Sequence, residues 1–218
     1  MKGLLKKDLA ILFCNKAMLI AALVVFMGVA FMGSGGGSFI VAYMAIFVPM
    51  VASSTISYDD MDHGMAYLMT LPVTRRQYVY SKYLFSAGVS LICWIFSCMM
   101  GTLSNVLHKS QGEPGEWLFL CLLSLGILIF SAGFIIPVQL KFEAEKAKVA
   151  VLIIMIGVIG VVWLIGNIKE MLLPGDTYLL SFINNSPFVF AGIVILFAFA
   201  AFLISLFVSI RIFEKKEW

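Results

Sequence analysis

The sequence predicts an all-α, polytopic membrane protein with six spanning helices, and three observations predict it. Apolar residues make up 62% of the 218 and charged residues only 12%, where a soluble domain carries about 25% charged residues. Uncharged runs cover residues 17 to 58, 83 to 108, 117 to 140, 149 to 168 and 177 to 210. Each exceeds the ~18 residues that mark a membrane-spanning helix. Finally, the basic residues sort to one side of an even-numbered arrangement.

Residues 1 to 16 are expected to form an interfacial helix ahead of the first span. Leu5, Leu9, Leu12 and Phe13 share one side of it, whereas Leu4 and Ile11 depart from that stripe, and its lysines would face anionic headgroups. A cleavable signal peptide is rejected: the charged leader is too long, contains Asp8, and precedes a second span instead of a polar domain. The run from 17 to 58 is too long for one span. Gly33-Ser34-Gly35-Gly36-Gly37-Ser38 in its middle is a turn sequence that divides it into two helices.

The polar segment 59–83 follows. Asp59-Asp60-Met61-Asp62-His63 invites a metal, but acidic residues also favour the first turn of a helix. Met61, Met65 and Leu68 repeat at i, i+4 and i+7, as in a short amphipathic helix beginning there. With no second ligand cluster nearby to complete a site, the capped helix is the preferred reading. Pro72 ends that helix, and Thr74-Arg75-Arg76-Gln77 restarts one with a capping-box pattern. Tyr78, Tyr80 and Tyr83 fall where the new helix would enter the membrane, suiting an aromatic belt. This helix, kink, helix element either presents its apolar stripe to a partner or packs on lipid; the residues alone leave both open.

Spans three and four follow, over 83 to 108 and 117 to 140. Lys141 to Lys148 has strong helix formers and opposite charges at i, i+3 and i, i+4, Glu143 with Lys146 and Lys141 with Glu145, which suits a helical extension of the fourth and fifth spans. It is either a solvated face or a second partner contact through Glu143 and Glu145. After the fifth span, residues 167 to 186 place Leu172, Leu173, Leu179, Leu180 and Phe182 around a Pro174-Gly175-Asp176 turn. Two short helices dipping into the outer leaflet are expected, lining an exit route or simply packing as a loop. Asn185-Ser186-Pro187 provides a cap and a proline at the first helical position, which starts the sixth span near Pro187.

With both termini on one side, that side holds Lys2, Lys6, Lys7, Lys16, Arg75, Arg76, Lys82, Lys141, Lys146, Lys148, Arg211, Lys215 and Lys216, and the other only Lys109 and Lys169. The rule that cytoplasmic loops retain Lys and Arg puts both termini in the cytoplasm. The four cysteines, Cys14, Cys93, Cys98 and Cys121, form no CxxC pair and are expected to be packing residues. One membrane domain, 1–218, accounts for the chain.

The uncharged spans argue against a proton-driven transporter, since ionisable groups at membrane depth mark such coupling. The glycine run lacks the lysine and hydroxyl of a phosphate-cradling loop. If nucleotide drives this protein, another subunit holds it. No Glu-Glu pair, His cluster or Ser-Lys dyad falls at membrane depth to suggest an enzyme, and nothing suggests nucleic acid as a partner.

The stretch YDDMDHGMAYLMTLPVTRRQYVYSKYL, with the opening MKGLLKKDLAIL, resembles the short half-transporter permeases of the type-2 ATP-binding-cassette exporter family of Gram-positive bacteria. The residues that carry the resemblance are Asp60 or Asp62, Gly64, Tyr67, Thr70, Leu71, Pro72, Val73, Thr74, Arg75, Ser81, Lys82 and Tyr83. Within the family, the chain is most similar to permeases that export phenol-soluble modulins or antimicrobial peptides. The resemblance implies a type V exporter fold in the bacterial plasma membrane, with a coupling helix that enters a groove of a separate ATPase subunit. It further implies a second permease copy or sister permease, amphipathic peptides or other hydrophobic cargo, and no cofactor on this chain, ATP and Mg being held by the ATPase. Met61, Met65 and Leu68 would then fill the groove. Arg75 and Arg76 would meet acidic groups or lipid phosphates, and Asp60 and Asp62 would pair with basic residues of the partner. An ion-coupled transporter or channel without an ATPase is the alternative.

Overall fold

A computed structural model describes residues 2–14, 28, 36–60, 64–70, 74–107, 114–142 and 186–215, and only helices occur among them. They are α1 (Lys2–Cys14), α2 (Gly36–Asp60), α3 (Gly64–Thr70), α4 (Arg75–Leu107), α5 (Pro114–Lys141) and α6 (Pro187–Lys215). Four of these, α2, α4, α5 and α6, are long and apolar enough to cross a membrane. They correspond to the second, third, fourth and sixth expected spans. The first and fifth, at 17–32 and 149–168, lie outside the described residues, as do Glu143, Glu145 and the expected outer segment with Leu172, Leu173, Pro174, Leu180 and Phe182.

Helix α2 is the centre of the bundle, packing on α4 and α5, while α6 lies mainly along α5. The antiparallel pair α2 and α4 crosses closely at one end. A Cβ on Gly37 would stand 2.5 Å from Asn105 Oδ1 and 2.8 Å from the Gly101 carbonyl, so only glycine fits. Of the turn expected over residues 33–38, Gly36, Gly37 and Ser38 belong instead to α2, and the others lie outside the described residues. Between the parallel pair α5 and α6, Gly133 has the Phe202 Cα at 3.1 Å from a would-be Cβ, and small Ala191 and Ala198 are buried. In lipid, where apolar surface gives no drive to associate, such close backbone approach is what holds helices together.

Two prolines interrupt these helices. Pro49 in α2 leaves the Ala45 carbonyl without its helical donor, and Pro137 in α5 does the same to Gly133. Both carbonyls are recovered from a neighbouring helix. The Ser131 hydroxyl of α5 is shared between Ala45 O at 3.1 Å and Leu128 O of its own helix at 2.9 Å, and Ser205 Oγ of α6 donates to Gly133 O. A hydroxyl on the adjacent helix thus meets each freed acceptor at a depth where water is absent.

The starts of α4 and α6 match the sequence. Thr74 and Gln77 form the reciprocal capping box, with Gln77 N donating to Thr74 Oγ1 and Thr74 N to Gln77 Oε1, both at 3.3 Å. Helix α6 begins at Pro187, after Ser186.

Three local expectations change. Asp59 and Asp60 do not open a helix; they end α2, because the apolar run before them continues helically to Asp60. Tyr78 and Tyr83 are not part of a surface belt but are fully buried, and only Tyr80 remains exposed. Finally, α1 does not turn all its lysines to headgroups. Leu4 and Asp8, on the side shared by Ile11, face the protein, which explains why Leu4 and Ile11 depart from the stripe; Leu9 and Phe13 stay exposed.

Candidate functional site

The charged end of the bundle gathers α1, the end of α2, α3, the start of α4 and the end of α6. Gly64 makes the fold-back from α2 to α3 feasible, since a Cβ there would meet the Asp59 carbonyl at 2.9 Å. Met65 and Leu68, three residues apart on one helical face as the pattern required, are buried in a cluster with Leu4, Ile56, Tyr78, Val79, Tyr83, Ile136, Leu140 and Phe213. The apolar stripe expected to enter a partner's groove therefore packs inward. What α3 presents outward is Tyr67, 73% exposed, together with Thr70.

Beneath α3 lies a set of buried charges. Lys82, one of the residues of the recognised stretch, sits two turns into α4 with its side chain 2% exposed. Its ammonium has three N–H groups and three oxygens around it: Asp8 Oδ1 at 2.6 Å, Asp59 Oδ2 at 2.8 Å and Thr55 Oγ1 at 3.2 Å. Asp59 is saturated in turn. Its Oδ1 takes Lys7 Nζ at 2.6 Å, and its Oδ2 also accepts from the Tyr78 hydroxyl at 2.9 Å. Two cations and two carboxylates offset one another, which is the condition for charges to persist away from water.

Asp8 is the exception. Its Oδ1 is paired, but its Oδ2 is buried with no hydrogen-bond partner. Burial pushes the Asp8 carboxyl above the ordinary carboxylate range, with the nearby Lys82 opposing the shift but not overcoming it.

A second clasp joins α4 to α6. Arg75 Nη1 donates to the carbonyls of Glu214 at 2.7 Å and Phe213 at 3.4 Å, groups that a helix end leaves unsatisfied. Arg76 Nε pairs with Glu214 Oε1 at 2.6 Å. The Tyr78 ring stacks on Phe213 with centroids 5.0 Å apart, and the Tyr83 hydroxyl sits 2.7 Å from both Ser205 and Ser209. Both arginines expected to meet a partner or lipid phosphate are thus held by α6.

Of the residues singled out from sequence, Gly64, Met65, Tyr67, Leu68, Arg75 and Arg76 come together here, and Asp60 lies beside them at the end of α2, half-buried. Met61, Asp62, His63, Leu71 and Pro72 lie outside the described residues. Among the described residues no group of three His, Cys, Asp or Glu side chains could hold a metal ion. Sequence reasoning missed Lys7, Asp8, Tyr78 and Glu214 as members of the site. A signal existed: Asp8 is the lone acid in a lysine-rich helix, and Lys82 borders a long uncharged run, so each needed an opposite charge. The arrangement fixes a short surface helix rigidly to the ends of two spanning helices.

Residues 3–214 match the family model described as ABC-2 family transporter protein. No curated protein matches the chain.

Proposed function

We propose, from the premise that this chain belongs to the ABC-2 family of transporter proteins, that it is the membrane-spanning permease subunit of an ATP-driven exporter and that α3 is its coupling helix. A separate ATPase subunit supplies ATP and Mg, and this chain carries neither. The bundle end that holds α1 and α3 faces the cytoplasm of a bacterial cell, in keeping with the distribution of Lys and Arg. Two permease copies, or this chain with a sister permease, enclose the route, and the cargo is an amphipathic peptide.

The observation that carries this reading is the division of labour in α3. Met65 and Leu68 anchor it in the permease's own core, while Tyr67 stands outward at 73% exposure between α2 and α4. An anchored helix with an exposed tip transmits a push from a partner to the two spans that flank it; a freely hinged one would absorb it. The ATPase then shifts the permease between states by binding the two positions of α3 with different affinity. In this reading Tyr67, with Leu71 and Pro72 as the continuation of its segment, meets the ATPase groove. Asp60 and Asp62 serve basic groups at its rim, and Glu143 and Glu145 make a second contact.

The test is co-purification of the tagged chain with its ATPase in lipid nanodiscs, for the unaltered protein and for Tyr67→Asp. Loss of the ATPase with an unchanged circular dichroism melt supports the assignment. Retention of the ATPase by Tyr67→Asp overturns it.

A further inference from the structure

The buried charges do not hold all elements equally. Helices α2 and α4 are joined by Lys82 to Asp59 and Thr55 and by Tyr78 to Asp59, contacts in which every polar atom of Asp59 and every proton of Lys82 is engaged. Helix α1 is held differently. Leu4 is its one buried apolar side chain among the described residues, and Leu9 and Phe13 lie exposed. Leu5, Ile11 and Leu12 are only half-buried, and the polar attachment is Asp8 to Lys82 and Lys7 to Asp59, with Asp8 Oδ2 unsatisfied and Lys7 one-third exposed.

Packing of apolar surface makes a helix costly to detach, roughly 25 cal/mol per Å² buried. Paired charges are different, because water that enters as the pair separates rehydrates both partners. The element with few buried apolar contacts is the one drawn from the low-stability end of a structure. The α1 helix touches the two spans that flank α3, and two of the four ion pairs between helices among the described residues involve it.

We propose that α1 is a detachable arm, docked on the α2–α4 joint by Asp8 and Lys7 and released from it when the ATPase moves α3, with Asp8 as the positioning residue. This inference rests on the coupling role given to α3 above. Displacement of α3 tilts the welded α2–α4 joint as a unit against α1, and Asp8 reaches Lys82 in only one of the two arrangements. Released, Asp8 becomes hydrated and its second oxygen is satisfied by water. Lys82 keeps Asp59 and Thr55. Undocking therefore leaves the α2–α4 weld intact, and α1 is free to rest on the membrane surface through Leu9 and Phe13.

The experiment uses the permease–ATPase complex in nanodiscs, with Cys93, Cys98 and Cys121 replaced by serine. Spin labels are placed on the native, exposed Cys14 of α1 and on Tyr80→Cys, an exposed position on α4. We expect one narrow distance without nucleotide and a second, longer population after trapping with ATP and vanadate. In Asp8→Asn the longer population is present without nucleotide, and stimulation of ATP hydrolysis by a dansylated amphipathic helical peptide falls at least threefold. Asp8→Glu, which keeps the charge, recovers most of the stimulation, and it serves as the reporter should the asparagine variant express poorly. A purely structural role for Asp8 would lower stability in Asp8→Asn without a nucleotide-dependent distance in the unaltered protein.

An unaltered complex that hydrolyses ATP but shows the same single distance with and without nucleotide overturns this inference alone. Failure of the unaltered chain to capture any ATPase overturns the functional reading, and this inference falls with it.

Discussion

The Lys82 ammonium and the Asp8 carboxylate, 74 residues apart in the chain, meet at 2.6 Å with both side chains withdrawn from solvent. Removing one partner of a buried pair strands the other charge, at a cost of about 3–5 kcal/mol. Lys82→Met leaves both Asp8 and Asp59 without their shared cation and should lower stability by that amount in detergent unfolding. Glu214→Gln breaks a solvent-screened surface pair with Arg76 and should cost far less.

Asp8 also makes a pH prediction whose sign follows from its direction of shift. Its carboxyl titrates above the ordinary value of 3.8 in the folded protein, from burial first, with Lys82 opposing and Asp59 adding to it. Between the ordinary and the raised value the folded state holds more protons than the unfolded one, so stability falls as pH rises through that window and levels off above it. Lys7, Lys82, Asp59 and Tyr78 are the groups that face or adjoin it. Melting curves of the unaltered chain and of Asp8→Asn from about pH 3 to about pH 8 check this; the difference between them should change only within the window.

The proline carbonyls give a test by coupled substitutions. Ser131→Ala should cost about 1–3 kcal/mol by orphaning the Ala45 carbonyl. In a Pro49→Ala background the helix supplies its own donor, so the same serine substitution should become nearly neutral. Equal costs in both backgrounds would remove the assigned role of Ser131.

Glycine positions separate by what surrounds them. Gly37→Ala drives a Cβ into the Gly101 carbonyl, a backbone atom that has no rotamer to yield, and should destabilise by about 1–3 kcal/mol. Gly88→Ala and Gly192→Ala meet nothing within 4 Å and should stabilise their helices by up to about 1 kcal/mol. Thermal unfolding of the three variants side by side decides it.

Local chemistry was legible in the sequence and long-range pairing was not. Thr74 with Gln77 announces a helix start because the groups that satisfy one another are three residues apart, and Pro187 announces one because a first helical position needs no N–H donor. The Met65 and Leu68 spacing correctly announced an amphipathic helix, but periodicity gives only a face and does not say whether that face meets a partner or the chain's own core. The acids at 59 and 60 misled for a related reason. Helix starts favour them, yet Asp59 is tolerated at a helix end because Lys7, Lys82 and Tyr78 are delivered by other elements 52, 23 and 19 positions away. Those partners depend on how the spans pack, which no window of the sequence contains.

The serine hydroxyls on Ala45 and Gly133 have a mechanical consequence. Axial sliding of α6 along α5, or of α5 along α2, would strip a carbonyl of its donor where no water can replace it. Tilting about the same points keeps both bonds. The three helices are thus pinned like hinged slats, free to rock about those two serines but not to slide, with Pro49 and Pro137 marking the height of the pivots.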